Sequence, residues 1–168
     1  MIQIDITNEH SHAVDEDRLR RAVRAIFEAE ALTSATVSVA IVDDATIHRL
    51  NNGFLGHDRP TDVLSFVLDR TEDALDGEVI VSADTAAAVA QRFGWTAADE
   101  LLLYVIHGTL HLVGYDDQDP EALLEMRTRE RQFLARFGLT PRYSSKTRNG
   151  VPEGRGKKRR MRQSSQER

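Results

Sequence analysis

The chain has 168 residues, 40% hydrophobic and 29% charged, so it can bury the core of one domain and is neither a collagen nor a wholly disordered chain. It contains no cysteine, which excludes disulfides and thiolate metal sites, and no run of ~18 uncharged apolar residues that could span a membrane. The net charge of −5 conceals a division: residues 142–168 hold ten Lys/Arg against two Glu, a net +8, and the other 12 bases and 25 acids leave residues 1–141 at −13.

Met1-Ile2-Gln3-Ile4-Asp5-Ile6 alternates apolar and polar residues, the period of a half-buried strand. It lacks the basic-then-apolar layout of a secretory leader, and a cytoplasmic location is the expectation. Residues 15–31 bring Leu19, Val23, Ile26 and Phe27 together at helical spacing, with Arg18, Arg20, Arg21 and Arg24 on the solvated faces. Residues 36–42, rich in β-branched side chains, predict a second strand. Asp43 or Asp44 then caps a helix running to about Asn52. Gly53, Gly56 and Pro60 punctuate a loop before a third strand, Val63-Leu64-Ser65-Phe66-Val67. A fourth, Glu78-Val79-Ile80-Val81, is expected to be entered through Asp76-Gly77 after a hairpin-like connection starting at Asp69.

Residues 84–93 are alanine-rich and helical, stopped by Gly94. Thr96, with Asp99 as an approximate capping box, opens the most apolar helix. Leu101, Leu102, Leu103, Val105, Ile106, Leu110 and Leu112 cover nearly all its sides, so it should be central; Gly114 ends it. Pro120 begins a last helix whose exposed charges are expected to include Glu125, Arg129 and Glu130. After Tyr143 periodicity stops. The expectation is an α+β (mixed α/β) domain over residues 1–143, a four-stranded sheet packed with about five helices. A basic tail over 144–168, expected to be disordered, suits an acidic partner such as nucleic acid.

The informative stretch is His107-Gly108-Thr109-Leu110-His111-Leu112-Val113-Gly114-Tyr115-Asp116-Asp117. Two histidines four apart leave one helix face one turn apart, and both imidazoles can reach one metal ion. Gly114 can turn the chain back, bringing Asp116 or Asp117 to the same side, with Asp117 offering the third ligand. Three protein ligands and an open position make a catalytic rather than a structural zinc site. Taken alone, the two histidines equally suit a helix core in which they bond to backbone; the glycine turn and acidic pair favour the metal. The spacing is also that of metzincin-type proteases, but Gly108 stands where those enzymes need a glutamate base.

The stretch resembles the HGxLHLxGYDH signature of the YbeY family of metal-dependent endoribonucleases, ribosomal RNA maturation factors. Leu50-Asn51 with Asp58-Arg59-Pro60-Thr61-Asp62-Val63-Leu64-Ser65-Phe66 is similar to the family's LN…D-x-PTDVLSF block. Gly77-Glu78-Val79-Ile80-Val81-Ser82 is similar to its GDIxIS strand, and Glu125-Met126 with Glu130 to its final helix. The resemblance implies one zinc ion per chain on His107, His111 and position 117, and cleavage of single-stranded RNA during assembly and quality control of the small ribosomal subunit. Two departures matter. The family's third histidine is Asp117, which lowers the site's charge by one and opens it to another divalent ion. The arginine that usually follows the family's aromatic is Leu55, which cannot bind a phosphate oxygen.

Arg59 is the candidate substitute, against the plainer reading of a solvated loop arginine. Arg59 and Asp116 are the candidate catalytic residues, with no general base assigned. Arg59, Thr61, Ser65, Lys157, Lys158, Arg159 and Arg160 are the candidate RNA contacts. Asp62 reads as structural, His48 and His57 lack ligand spacing, and His10 and His12 read as surface residues. Two other functions compete: a ribosome-assembly factor that binds RNA without cutting it and keeps a structural metal, and a zinc protease.

Overall fold

The period-2 alternation at the N-terminus becomes β1 (Ile2–Asn8), and the β-branched run after the first helix becomes β2 (Ser34–Val42). The structure, a computed structural model, describes residues 1–56 and 61–143. Among these the remaining elements are α1 (Glu16–Ala29), α2 (Asp44–Leu55), β3 (Val63–Arg70), β4 (Ala74–Ser82), α3 (Ala83–Phe93), α4 (Ala97–Leu112) and α5 (Pro120–Ala135). The strands form one mixed sheet in the order β1-β2-β4-β3. β1, β2 and β4 run parallel, and β3 returns antiparallel beside β4. This is the α+β domain the sequence predicts.

Alternation along the strands divides the core. Val37, Val39 and Ile41 of β2 and Val79 and Val81 of β4 join the main cluster with α1, α4 and α5. Val42, Leu64 and Ile80 meet Ile47 of α2 in a smaller cluster on the opposite face. α4 is central as expected: Leu102, Leu103, Ile106 and Leu110 are fully buried. Each such side chain stabilises the fold by about 1.5–3 kcal/mol relative to exposure. Two glycines let this helix lie close to the sheet. A Cβ on Gly108 would stand 2.6 Å from Val79 Cγ1 and 2.8 Å from Val63 Cγ2, and one on Gly77 would meet Leu112 Cδ2 at 3.1 Å.

That packing corrects one expectation. Asp76-Gly77 does not enter β4 but lies inside it, with Gly77 paired to Val37 and Val67. The hairpin turn falls earlier, where Thr71 N donates to Ala74 O at 2.9 Å. Glycine here serves the close approach of α4, a need that outweighs the Asp-Gly turn signal. The caps follow local chemistry: Asp15, Asp43, Ser82, Thr96 and Asp119 each accept from a backbone N–H of the following turn. The capping box at Thr96 is half made, because the Asp99 carboxylate takes Arg18 of α1 at 2.8 Å. No helix among the described residues is long and apolar enough to cross a membrane.

Candidate metal centre

α4 carries His107 and His111, both half-buried, on its last two turns. A Schellman motif ends it: Gly114 N donates to His111 O at 3.0 Å and Tyr115 N to Leu110 O at 3.0 Å. Gly114 takes φ +107°, a conformation that favours glycine, and so reverses the chain. Arg70 of β3 donates to Leu112 O at 2.7 Å, placing a cation at the negative end of the helix. Beyond the turn, Tyr115 donates to Glu30 at 3.0 Å, and Arg129 of α5 donates to the same Glu30 oxygen at 2.5 Å. These two bonds tie the returning loop to α1 and α5 and bring Asp117 back over the histidines.

The three expected residues come together. His107 Nε2 lies 3.0 Å from His111 Nε2 and 3.4 Å from Asp117 Oδ2, and His111 Nε2 lies 3.7 Å from the same oxygen. Ligand atoms at the corners of a tetrahedron with bonds of about 2.0–2.1 Å stand about 3.3 Å apart. The observed edges bracket that value, and the donor set of two imidazole nitrogens and one carboxylate oxygen suits a divalent cation, so the group fits a metal.

Behind His107 stands Glu130 of α5, its Oε1 2.7 Å from His107 Nδ1. With Nδ1–H directed at that carboxylate, Nε2 presents its lone pair to the group, the arrangement outer-shell carboxylates commonly impose on ligand histidines. Burial opposes a charge on His107, yet Asp117 and Glu130 outweigh it and raise its pKa to about 10. Hydrogen bonding to His107 and then His111 holds Asp117 well below the usual carboxylate range. These carboxylates favour the protonated form of His107, with which a cation would compete.

Glu130 corrects a second expectation: it is buried at 3% exposure, not on the exposed side of α5. The missed signal is its spacing. Met126, Glu130, Phe133 and Leu134 form one buried stripe, so the glutamate occupies a core position of its helix. Arg129, also expected outside, is half-buried between Glu30 and the rings of Tyr115 and Phe133. His10 corrects the surface reading, since its side chain is 9% exposed and bonds Asp84 at 3.0 Å; His12 is exposed.

The other candidates separate. Asp116 is exposed, and its Oδ1 accepts the Asp117 N–H at 2.7 Å, a bond that shapes the loop. Ser65 donates to Gly108 O at 2.9 Å, fastening β3 to α4 between the two histidines. Thr61 donates to Asp62 Oδ1 at 3.2 Å. Asp62 is buried, and burial pushes its carboxyl up while the charge of His107 pulls it down. Arg59 and His57 lie outside the described residues, as do Lys157, Lys158, Arg159 and Arg160. Gly108 also removes the protease reading, because a side chain there would collide with Val63 and Val79 and no glutamate base fits.

The α+β fold thus brings together two histidines and one carboxylate, a donor set that could hold a divalent cation. The family model described as Endoribonuclease YbeY matches residues 4–138. The chain belongs to that family. An endoribonuclease YbeY of Rhodopirellula baltica is 42% identical over 123 residues, a match spanning 72% of this chain and 63% of that longer relative. One of Salinibacter ruber is 37% identical over 140 residues, 78% of this chain and 89% of the relative. A Thermotoga maritima protein solved in solution is similar in fold, with TM-score 0.55 and 29% identity over 82% of this chain and 92% of that one.

Proposed function

We propose that the chain is a metal-dependent endoribonuclease that cuts single-stranded RNA, with zinc as its ion and ribosomal RNA of the small subunit as its substrate, in the cytoplasm. The observation that supports this best is the convergence of His107, His111 and Asp117 in a member of the endoribonuclease YbeY family. When bound, a divalent cation there supplies Lewis-acid chemistry, polarising a phosphoryl oxygen and acidifying a water. The chain's own part is positional. Glu130 fixes the tautomer of His107, the Tyr115–Glu30 bond holds the loop that delivers Asp117, and Ser65 anchors α4 to the sheet. Arg59 is the candidate to meet the scissile phosphate in place of the family's missing arginine at position 55. An acidic domain at −13 repels RNA, and the +8 segment with Lys157, Lys158, Arg159 and Arg160 offsets it through phosphate contacts.

The test is cleavage of a labelled single-stranded RNA by the full chain, with and without chelator. Chelation should abolish cleavage and added zinc restore it; chelator-insensitive cleavage by the purified chain would overturn the proposal. Unchanged cleavage by Arg59→Ala would remove that residue from the mechanism. The departure at position 55 favours a second reading, a factor that binds the small subunit without cutting RNA. Metal uptake and RNA binding with no product would establish it.

A further inference from the structure

Glu130 has two carboxylate oxygens, and each has its own partner. Oε1 lies 2.7 Å from His107 Nδ1, while Oε2 accepts the phenol of Tyr143 at 2.5 Å. The Tyr143 ring is held in turn by two arginines one turn apart on α5, Arg127 and Arg131, whose guanidinium carbons lie 4.6 and 5.2 Å from its centroid. Tyr143 lies beyond α5 and outside residues 4–138 that the family model matches, so this contact belongs to the segment leading into the basic tail.

We propose that Tyr143 is a positioning residue of the metal centre: its hydroxyl holds Glu130 in the orientation that aims His107 Nε2 at Asp117 and His111. This rests on reading those three residues as metal ligands. The side chain of Glu130 is 4% exposed, and a carboxylate so buried requires hydrogen bonds to both oxygens. With the phenol removed, Oε2 loses its donor, and any rotation that finds a new one carries Oε1 away from His107. The two arginines pack against the ring that carries this hydroxyl. The functional unit therefore extends past α5 to include Tyr143.

The experiment is cobalt titration of the full chain as wild type, Tyr143→Phe, Glu130→Gln and the double variant, followed by affinity and by the visible bands of the bound ion. Tyr143→Phe keeps the ring between Arg127 and Arg131, so the fold should persist, with the melting temperature lowered only by the loss of one hydrogen bond to a buried carboxylate oxygen. Its cobalt affinity should fall about tenfold, the lower end of what outer-shell changes cost, with altered visible bands. The double variant should bind no more weakly than Glu130→Gln, because the phenol acts through that carboxylate. Wild-type affinity and spectrum in Tyr143→Phe, or additive losses in the double variant, would overturn this inference alone. A wild-type chain that takes up no cobalt would overturn the ligand reading beneath it.

Discussion

Where β1, β2 and β4 end, His10, Asp44 and Asp84 form a cluster of the same residue types as the group at the end of α4. What differs is where the donor atoms point. His10 Nε2 meets Asp84 Oδ1 at 3.0 Å, and Asp84 Oδ2 accepts the Asp44 N–H at 2.9 Å. Asp44 in turn accepts the hydroxyls of Ser82 and Thr85, and His10 Nδ1 accepts the His12 N–H at 3.3 Å. Each of these atoms is bound to the protein, and together they knit the starts of α2 and α3. At the end of α4, by contrast, His107 Nε2, His111 Nε2 and Asp117 Oδ2 converge on one another, and Glu130 holds His107 from behind. Composition does not distinguish a binding site from a structural knot; the direction of the lone pairs does.

The largest effect expected from this contrast is in His107→Ala, which should lose the metal and at least about a hundredfold in RNA cleavage. His10→Ala should keep both within about twofold, since its ring faces only protein groups; the direct check is metal content per chain beside cleavage rate. Comparable losses in both variants would erase the distinction.

Next comes pH. A cation must displace the proton from His107, whose pKa is raised to about 10, so apparent zinc affinity should rise about tenfold per pH unit between about 7 and 9. Calorimetry in non-coordinating buffers reads this, and a flat profile contradicts it. Because the folded pKa lies above the ordinary 6.5, the charge on His107 stabilises the metal-free protein fully below pH 6.5, and that stability is lost as pH rises through about 10. Asp84 has the opposite sign. Its pKa is lowered, chiefly by the Asp44 N–H, so its contribution is present above 3.8 and lost as pH falls through the folded value.

Gly108→Ala should lower stability by about 1–3 kcal/mol, because its Cβ meets Val63 and Val79 and α4 must retreat. Thermal melts of the metal-free protein measure this; an unchanged melting temperature would show that the helix can shift freely. The smallest effect belongs to the structural cluster. The Asp84 side chain is 44% exposed, so Asp84→Asn should cost no more than about 1 kcal/mol and leave metal uptake unchanged.

Most of the fold could be read from local pattern. α4 declares itself because it is apolar on nearly all sides, and His107, Gly114 and Asp117 sit at spacings that helix and turn geometry can join. What stayed hidden depends on partners remote in sequence. Glu130 looks like one more surface charge until its place in the stripe of Met126, Phe133 and Leu134 is noticed, and its meaning comes from His107, 23 residues away. Arg70 reaches Leu112 across 42 residues, and no local period marks that contact. Asp76-Gly77 carries a turn signal that tertiary packing overrides, since Leu112 needs the space a side chain would fill.

Asp117 is the carboxylate that joins His107 and His111 in the group at the end of α4. The most direct measurement is zinc titration of the full chain as wild type and as Asp117→Ala, at neutral pH. Wild type should bind one ion per chain and the variant should bind it at least about tenfold more weakly. Equal affinities, or no uptake by the wild type, would contradict the assignment of His107, His111 and Asp117 as one metal site.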